Sequence, residues 1–538
     1  MGTEWQWADV WDKIAEVRGD ATALVHGDVH RSWREFSNRS DALARSLVQG
    51  GAQQASRIAQ YLYNSPEYLE VTYATYKAGL TPVNTNYRYR AEELAYLWSN
   101  ADAFAVVFHG RFTDTIESIR DQVPTVQRWL WVDDQSQPCP KWAEPYEEVV
   151  SGADNGAPYK APWGRSGDDI VMIYTGGTTG MPKGVMWRHH DMYQAFNTVG
   201  DPEYADLDYV AQRLSVRDSG PVGLPASPLM HATGYMFAKS MLTQGGTVVT
   251  LANRTFDPAG LLDILEREKV EAMAMVGDAF GQPILSALDA EPNRWDLSAL
   301  TLLVSAGVMW SAQTKEGLAA HLPTTLLVDL LGSTEAHNLG SAVSGASGAT
   351  TAQFKLGPNA MVVTEDKLMA KPGESGLLAV GGPMPLGYFK DEEKTAKTFW
   401  TVEGQRVSVP GDWARLEMDG SITLLGRGSL CINTGGEKVF PEEVEEALET
   451  HPAVRDSTVV GIPDPRFGES IAAEVELNDG ASVTTQEIIE HVKTQIAGYK
   501  APRHLSIVAS VGRLPNGKAD YSGVKKRMIE SLESLTST

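Results

Sequence analysis

The sequence contains little cysteine and no long hydrophobic run. Cys139 and Cys431 are the two cysteines among 538 residues, so a disulfide framework is excluded and a reduced, cytoplasmic setting is expected. No apolar run reaches about 18 residues, so no membrane span is predicted. The N-terminal segment lacks a basic stretch followed by an apolar one, so no signal peptide is predicted either.

Positive charge is also scarce. Lys and Arg number 46 against 69 Asp and Glu, which gives a net charge of −23. Nucleic acids attract Lys and Arg to their phosphates, so no nucleic-acid partner is expected for this chain. An anionic substrate would have to be held by a local group of positive charges. The length predicts at least two domains, because single cores usually stop growing at about 250–300 residues.

Short apolar runs that predict strands alternate with helical patterns through most of the chain. A strand at 57–62 precedes a helix at 68–78, and apolar runs recur at 103–108, 246–251, 300–304 and 325–328. This alternation predicts a multi-layer α/β fold with mostly parallel sheets. Trp7, Trp11 and Ile14 share one face of a predicted first helix. Residues 134–168, rich in Pro, Gly, Asp and Ser, predict a surface connection.

The pattern changes near residue 412. A β-hairpin is predicted over 411–427, and a smaller α+β unit follows it. That unit is predicted to contain a helix at 441–449, strands near 457–461 and 471–477, and a helix at 485–495. The sequence therefore predicts a second, smaller domain after the hairpin.

The clearest chemical signal is a glycine-rich loop after the predicted strand 170–174. It contains Thr175, Gly176, Gly177, Thr178, Thr179, Gly180, Met181, Pro182, Lys183 and Gly184. Glycines let successive backbone amides converge on a phosphate, and threonine hydroxyls and a lysine add further donors. The loop lacks the G-x4-G-K-[ST] pattern of a Walker A motif. It therefore predicts a different kind of phosphate-binding loop.

This loop resembles the signature of the adenylate-forming (ANL) superfamily, which includes acyl-CoA synthetases, peptide-synthetase adenylation domains and beetle luciferases. Further motifs follow in the family's order over nearly the whole chain. The resemblance implies that the loop holds the β- and γ-phosphates of ATP. The residues implied in this role are Thr175, Gly176, Thr178, Thr179, Gly180 and Lys183.

Residues 227–234 (SPLMHATG) resemble the P-L-[FM]-H-x-x-G motif of the fatty-acyl branch, which implies that His231 lies beside the substrate carboxylate. Members that activate amino acids have an aspartate near this motif to pair with the substrate ammonium. None is present here, and an unpaired buried ammonium is costly. We therefore expect an acid without an α-amino group.

Two further motifs imply an adenine and metal site. In residues 305–311 (SAGVMWS), Gly307 and Val308 would lie along adenine, and Met309 and Trp310 replace the usual Pro and Leu of the pocket wall. In residues 329–335 (DLLGSTE), the implied roles are adenine binding for Asp329, Leu331 and Gly332, phosphate contact for Thr334 and Mg2+ binding for Glu335. Leu331 stands where the family has an aromatic residue.

The family's ribose-binding aspartate corresponds to Asp412, and Arg427 would contact ribose and phosphate. The small domain of the family rotates about a hinge just beyond this arginine, where Ser429 and Leu430 replace the usual charged pair. The resemblance therefore implies an N-terminal domain of residues 1–426, a hinge at 427–430 and a mobile lid at 431–538. A small residue in the hinge can still absorb a backbone rotation.

The predicted small domain carries the remaining motifs. Residues 433–445 contain a glycine loop (Gly435, Gly436, Lys438) that would admit the pantetheine arm of CoA. Lys500 and Arg503 are candidates for a CoA phosphate contact, with a solvated basic patch as the alternative. Lys518 matches the family's adenylation lysine, whose ammonium would stabilise the charge between carboxylate and α-phosphate.

These residues predict an AMP-forming acid–CoA ligase with Lys518, Lys183, His231 and Glu335 as its catalytic groups. Carboxylate and ATP with Mg2+ would give acyl-AMP and pyrophosphate, and CoA would then give acyl-CoA and AMP. The runs 307–311 and 426–439 resemble actinobacterial ligases for steroid side chains or long fatty acids, which implies a bulky apolar acid. A homodimer is possible.

Three alternatives remain open from the sequence. An acyl-AMP ligase that loads a carrier protein should have an insertion after the hinge, and none is visible between 426 and 461. A luciferase-like oxygenase shares every motif. A non-enzymatic binding protein would be expected to lose Lys518 or Glu335, and both are present.

Overall fold

Two large β-sheets and one small one form the framework of the protein in a computed structural model. The structure describes residues 6–151, 157–175, 181–196, 207–216, 219–308, 310–344, 352–434, 437–464, 468–514 and 518–536. Within these residues, no helix has both the length and the apolar character needed to cross a membrane.

The first part of the chain alternates helices and strands as predicted. Its elements are α1 Trp7–Val17, β1 Thr22–His26, β2 Val29–Ser32, α2 Trp33–Gln49, β3 Arg57–Tyr61, α3 Pro66–Lys77, β4 Thr81–Asn84, α4 Ala91–Asn100, β5 Ala103–His109, α5 Thr113–Glu117, β6 Arg128–Val132, β7 Glu144–Pro145, α6 Tyr146–Val150, β8 Ile170–Thr175, β9 Lys183–Arg188 and α7 His189–Phe196. The next are α8 Leu207–Ser215, β10 Val222–Pro225, α9 Ala232–Thr243, β11 Thr247–Thr250, α10 Pro258–Arg267, β12 Ala272–Met275, α11 Gly277–Ala290, β13 Leu302–Ala306, α12 Ala312–His321 and β14 Leu326–Leu331.

The remaining elements are mostly strands until the small domain begins. They are β15 Gly340–Ser344, β16 Gln353–Leu356, β17 Ala360–Val363, β18 Ser375–Val380, β19 Gly387–Tyr388, α13 Glu392–Thr398, β20 Phe399–Val402, β21 Gln405–Ser408, β22 Asp412–Leu416 and β23 Ser421–Arg427. The small domain has β24 Ile432–Thr434, β25 Glu437–Val439, α14 Pro441–Glu449, β26 Val454–Asp464, β27 Gly468–Leu477, α15 Thr485–Gln495, β28 His504–Val508 and α16 Tyr521–Thr536.

Each of the two large sheets has a parallel part and an antiparallel part. The first has the order β2-β1-β11-β10-β12-β13-β14-β15-β16-β23-β22-β18-β21-β20, with β17 on β18, and it is parallel from β1 to β14. The second has the order β19-β9-β8-β4-β3-β5-β6-β7 and is parallel from β8 to β7. The α/β prediction is confirmed, and beyond β14 short connections replace the helical crossovers that parallel pairing needs.

The small domain has its own sheet and its own core. Strands β25, β24, β27 and β26 are antiparallel, and β28 pairs in parallel with β27. Val444 of α14, Ile488 of α15 and Ile471 of β27 are buried together in this core. The predicted separate α+β unit is confirmed. The hinge at 427–430 stays a prediction, and residues 428–430 form a single 3-10 turn.

Helix α1 packs by the face that the sequence predicts. Trp7, Trp11 and Ile14 are buried, and the indole nitrogens of both tryptophans donate to the Thr243 hydroxyl at 3.1 and 3.2 Å. Gln6 begins the helix through a reciprocal capping box with Asp9. Helix α1 is thereby attached to the C-terminal end of α9.

The predicted surface connection at 134–168 is wrong in part, because β7 and α6 lie within it. Tyr146 and Val150 of α6 are buried. The Tyr146 hydroxyl donates to the buried Glu70 carboxylate at 2.8 Å, and Arg39 pairs with the same carboxylate. The burial of Tyr146 and its hydrogen bond to Glu70 thus fix this segment in the fold, although the composition around it is typical of a loop.

Candidate functional site

The predicted acyl and adenine motifs meet at one edge of the first sheet. Strands β10, β12, β13 and β14 are parallel neighbours, so their carboxyl ends share this edge. His231 follows β10, Gly307 follows β13 and Gly332 follows β14 along the chain. Ligands of open α/β sheets bind beyond the carboxyl ends of the strands. This edge is therefore the candidate active site.

Two asparagines of the second sheet hold this edge in place. The Asn84 amide at the end of β4 donates to the carbonyls of Tyr174 and Met230 and accepts from the Tyr174 amide. Asn64 accepts from the Leu229 amide at 2.7 Å and donates to the Ser227 carbonyl at 3.2 Å. The sequence analysis missed both residues. The sequence pattern that could have identified them is a polar residue at or just after the end of a buried parallel strand.

The described ends of the glycine-rich loop lie side by side. Thr175 ends β8 and pairs in register with Lys183, which begins β9. Gly176, Thr178, Thr179 and Gly180 lie outside the described residues. The Lys183 ammonium pairs with the Asp391 carboxylate at 2.5 Å, and this contact is the main cause of the lowered Asp391 pKa. Asp391 also caps α13 by accepting from the Lys394 amide.

His231 lies at the N-cap of α9, beside a cavity. The cavity is lined by residues of β3, α3, β4 and β8 and by the segment 229–235, with Gln60, Asn84 and Tyr235 among them. No described group pairs with the buried Nε2 of His231. Burial, followed by the charges of Lys518 and Arg88, lowers the pKa of His231 to about 4. The ring is therefore neutral at physiological pH.

The structure places the predicted adenine residues together but gives Asp329 an unforeseen partner. Gly307 adopts φ +98°, a conformation that favours glycine, and Val308 beside it is half-buried. Asp329 near the end of β14 is buried, and the Lys315 ammonium lies 3.5 Å from its carboxylate. Burial raises the Asp329 pKa to about 6, with Lys315 opposing the rise. Leu331 is half-buried and packs against the neighbouring core.

The predicted position of Trp310 in the pocket wall is wrong. The side chain is wholly buried in the core that α11 and α12 cover. A Cβ added to Gly281 of α11 would lie 3.2 Å from the Trp310 indole nitrogen, so the ring packs closely under that helix. A large apolar side chain after β13 thus enters the core, not the ligand space. Met309 lies outside the described residues.

Thr334 and Glu335 are fixed by two aromatic residues that the sequence analysis missed. The Trp187 indole nitrogen donates to the Thr334 carbonyl at 2.9 Å, and the Tyr388 hydroxyl donates to Glu335 Oε1 at 2.7 Å. Burial and then the Glu335 charge raise the Tyr388 pKa, so the hydroxyl keeps its proton. Gly332, just before them, is exposed.

The Glu335 carboxylate fits a magnesium ion that is shared with substrate phosphates. It is half-buried, and Tyr388 orients one of its oxygens. Within the described residues, no group of three or more His, Cys, Asp or Glu side chains could form a metal cage. Mg2+ is typically bound through one or two carboxylates with phosphate oxygens and water. A single oriented carboxylate matches that mode.

Asp412 and Arg427 face each other across the β22–β23 hairpin. They are register partners, and the Arg427 Nε donates to Asp412 Oδ1 at 3.0 Å. The Asp412 charge is the main cause of the raised Arg427 pKa.

Lys518 of the small domain lies among the charged groups of the large domain. Its pKa is lowered, first by burial of the ammonium and then by Arg427, while Glu335 and Asp412 oppose the shift. The residue as a whole remains exposed. The Lys518 charge also acts on His231. Four predicted residues are therefore electrostatically coupled to the lysine: Arg427, Glu335, Asp412 and His231.

The structure describes only some of the predicted CoA residues. Gly435, Gly436 and the Lys438 side chain lie outside the described part of the structure, and only the Lys438 backbone is placed, in β25. Lys500 pairs with Glu443 at 2.5 Å within the small domain. Arg503 is exposed. A CoA phosphate at Lys500 would have to compete with the Glu443 carboxylate.

The described site combines Lys183 at the end of the glycine-rich loop, a carboxylate suited to Mg2+ and a lysine carried by a small second domain. Together with the two mixed sheets, these features define an adenylate-forming enzyme. The chain belongs to the AMP-binding enzyme family: the model of the AMP-binding enzyme matches residues 11–389, and that of the AMP-binding enzyme C-terminal domain matches residues 443–518.

Relatives of similar length carry names of CoA ligases. A medium/long-chain-fatty-acid–CoA/3-oxocholest-4-en-26-oate–CoA ligase of Mycolicibacterium smegmatis is 36% identical over 535 residues, with 96% of this chain and 95% of the relative covered. A 3-oxocholest-4-en-26-oate–CoA ligase of Rhodococcus rhodochrous is 34% identical over 539 residues, with 96% and 95% covered.

Solved structures share the fold at lower identity. The anthranilate CoA ligase AuaEII in complex with anthranoyl-AMP has a TM-score of 0.84 and 21% identity, with 99% of each chain covered. The ATP-bound MatB from Rhodopseudomonas palustris has a TM-score of 0.79 and 24% identity, with 97% of this chain and 98% of MatB covered.

We predict that His231 stays neutral in the folded protein between about pH 5 and pH 8. Its folded pKa of about 4 lies below the ordinary value, so its burial costs stability only as the pH falls from about 6.5 towards 4. NMR titration of isotope-labelled histidine rings, with His231→Gln to assign the signal, measures this pKa. In concentrated urea the ring should titrate near pH 6.5. A folded-state midpoint near 6.5 would contradict the burial argument.

Proposed function

We propose that the protein is an ATP-dependent, AMP-forming acid–CoA ligase. The single observation that carries this proposal is the electrostatic coupling of Lys518 to Arg427, Glu335, Asp412 and His231. An ammonium that a second domain delivers to this point is suited to the joining of two anions. It offsets the repulsion between carboxylate and phosphate and stabilises the charge that develops between them.

In the first half-reaction, a substrate carboxylate oxygen attacks the α-phosphorus of ATP. The bond from that phosphorus to the bridging oxygen of the β-phosphate breaks, and pyrophosphate leaves with both electrons. Lys518 stabilises the transferring phosphate, and Asp412 and Arg427 hold the ribose side of the nucleotide. A neutral His231 is able to donate an N–H to the carboxylate without adding charge.

The magnesium ion supplies charge neutralisation at the phosphates when it is bound. Glu335 would hold it, and Tyr388 keeps that carboxylate oriented. Lys183 would contact the outer phosphates, and to do so its ammonium would leave the ion pair with Asp391. Phosphate binding at Lys183 is thus an exchange of one anion for another.

In the second half-reaction, the CoA thiolate attacks the carbonyl carbon of acyl-AMP. The bond between that carbon and the phosphate oxygen breaks, and AMP leaves while the thioester forms. The proposal includes a rotation of residues 431–538 about 427–430 between the two steps. Gly426, just before this turn, adopts φ +115° and lies against Glu442 of the small domain. The chain thus passes from the large to the small domain at this point, which supports a hinge here.

We further propose that the acid is bulky and apolar and has no α-amino group. The described residues that line the cavity beside His231 include amide and hydroxyl groups but no carboxylate that could pair with an ammonium. The names of the Mycolicibacterium and Rhodococcus relatives point in the same direction.

A panel of carboxylic acids tests this function directly. Short-chain, medium-chain, long-chain, aromatic and steroid side-chain acids are assayed for AMP release with ATP and Mg2+, in the presence and absence of CoA. We expect the longest apolar acids to give the highest activity and multiple turnovers to require CoA. Turnover that does not depend on CoA would refute the ligase and indicate a different acceptor.

Lys518→Ala is predicted to lower the rate of acyl-AMP formation by at least about a hundredfold, because one positioned cation is removed from the transition state. Conversion of supplied acyl-AMP and CoA into acyl-CoA should persist. The exposed Lys526 of α16 provides the control, and Lys526→Ala should leave both half-reactions intact. Near-normal adenylation by Lys518→Ala would contradict the assigned role.

A further inference from the structure

Residues 387–391 contact two charged residues of the proposed phosphate site. Tyr388 donates to Glu335 Oε1 at 2.7 Å, and Asp391 Oδ2 lies 2.5 Å from Lys183 Nζ. The first contact orients the carboxylate that would hold Mg2+. The second contact joins two opposite charges, so the lysine that would bind the outer phosphates has an anion of the protein itself within reach.

Backbone contacts fix this segment beside the start of β9. Strand β19 pairs with β9 in antiparallel register, and the Phe389 amide donates to the Gly184 carbonyl at 2.8 Å. The Thr395 hydroxyl accepts from the Tyr388 amide at 2.9 Å and donates to the Asp391 carbonyl at 2.7 Å. The backbone of Asp391 is therefore held in place by contacts that do not involve its carboxylate.

The two carboxylate oxygens of Asp391 have different partners. Oδ1 accepts from the Lys394 amide at 2.9 Å and caps α13, whereas Oδ2 accepts from Lys183. The contact with Lys183 lowers the pKa of this carboxyl, so the group is charged at neutral pH. A helix cap needs an oxygen that asparagine also supplies, but the ion pair needs the negative charge. A single substitution can therefore separate the two roles.

A ligand can replace Asp391 as the partner of Lys183. The Lys183 side chain is 41% exposed and that of Asp391 is 27% exposed. Lys77, in contrast, is wholly buried with its two carboxylates, as is typical of a structural ion pair. Ion pairs that water reaches are weak, so a polyphosphate that carries several negative charges can displace the carboxylate from Lys183.

We propose that Asp391 is a positioning residue that competes with phosphate oxygens for the Lys183 ammonium and thereby weakens the binding of pyrophosphate. The inference rests on the proposed ligase function and deepens it by assigning a residue to product release. When the carboxylate takes the ammonium back, one contact that retains pyrophosphate is lost, and the product leaves faster. The same competition raises the KM for ATP.

The affinity for pyrophosphate tests this inference without any acid or CoA. Isothermal titration calorimetry measures the Kd of pyrophosphate in the presence of Mg2+ for the wild type and for Asp391→Asn, which keeps the capping oxygen and loses the charge. We expect Asp391→Asn to bind pyrophosphate about three- to fivefold more tightly, the size expected for a partly exposed ion pair. The gain should shrink in high salt, because salt screens such a pair.

A double-mutant cycle shows whether the effect passes through Lys183. In a Lys183→Met background, Asp391→Asn should change the Kd by less than about twofold, because the pair is already absent. Asp391→Ser also supplies a capping oxygen, so it should give the same gain as Asp391→Asn and serves as the second variant if the first does not fold.

Asp102→Asn is the matched control. Asp102 pairs with Lys390, the neighbour of Asp391 in the chain, at 2.8 Å. Asp102 adopts φ +47°, a conformation that asparagine tolerates. The substitution thus removes the same charge from a nearby ion pair, and the Kd of pyrophosphate should stay at the wild-type value.

Three results would overturn the inference while the ligase assignment stands: a Kd that is unchanged or higher in Asp391→Asn, a gain that persists in full in the Lys183→Met background, or no binding of pyrophosphate to the wild type and the variant. A higher Kd is what a purely structural contact predicts. The absence of CoA-dependent AMP release across the acid panel would instead refute the proposed function. The two failures are read from separate measurements and are therefore distinguishable.

Discussion

The active site depends on the attachment of one large sheet to the other by the side-chain amides of Asn64 and Asn84. Asn84 bonds Tyr174, the last residue but one of β8, and Met230, the residue before His231, at the same time. Asn64 bonds the segment just before them. Phosphate loop and acyl motif belong to different sheets, so their spacing is set by these contacts. A site on two rigid sheets holds its groups more accurately than one on free loops.

The second constraint is electrostatic. The chain carries a net charge of −23, yet its proposed substrates are anions. Salt screens the overall field beyond about 8–10 Å, so binding is decided by a few cations at the site. Lys183 and Arg427 have carboxylate partners in Asp391 and Asp412, and Glu335 and Asp412 act on Lys518. These partners hold the cations in place before substrate arrives, and substrate phosphates must displace or share them.

The fold was predictable from the sequence wherever the hydrophobic pattern of an element agrees with the residues that begin or end it. Helix α14 has the predicted bounds because Pro441 begins it, and α15 has them because Thr484 and Glu487 form a capping box. The α/β class followed from alternating strands and helices. The motif residues around Lys518 were predictable only by resemblance, since their positions along the chain carry no information about their spacing in the fold.

The contacts that the sequence did not reveal are long-range. Periodicity identifies the buried face of a helix but not its partner, so the bond from Trp7 to Thr243 could not be foreseen. The same limit concealed the Lys315–Asp329 pair and the burial of Trp310. Buried polar side chains reveal their role only when the groups packed around them are known.

In the proposed mechanism, the small domain delivers Lys518 for the first half-reaction and moves away for the second. Spin labels at Glu316→Cys on α12 and Asp479→Cys in the small domain, with Cys139 and Cys431 replaced by serine, would report the distance between the domains. With ATP and an acid, the account predicts one distance population that matches the docked structure. With CoA and a non-reactive acyl-AMP analogue, a second population should appear. The same single distance under both conditions would contradict the account.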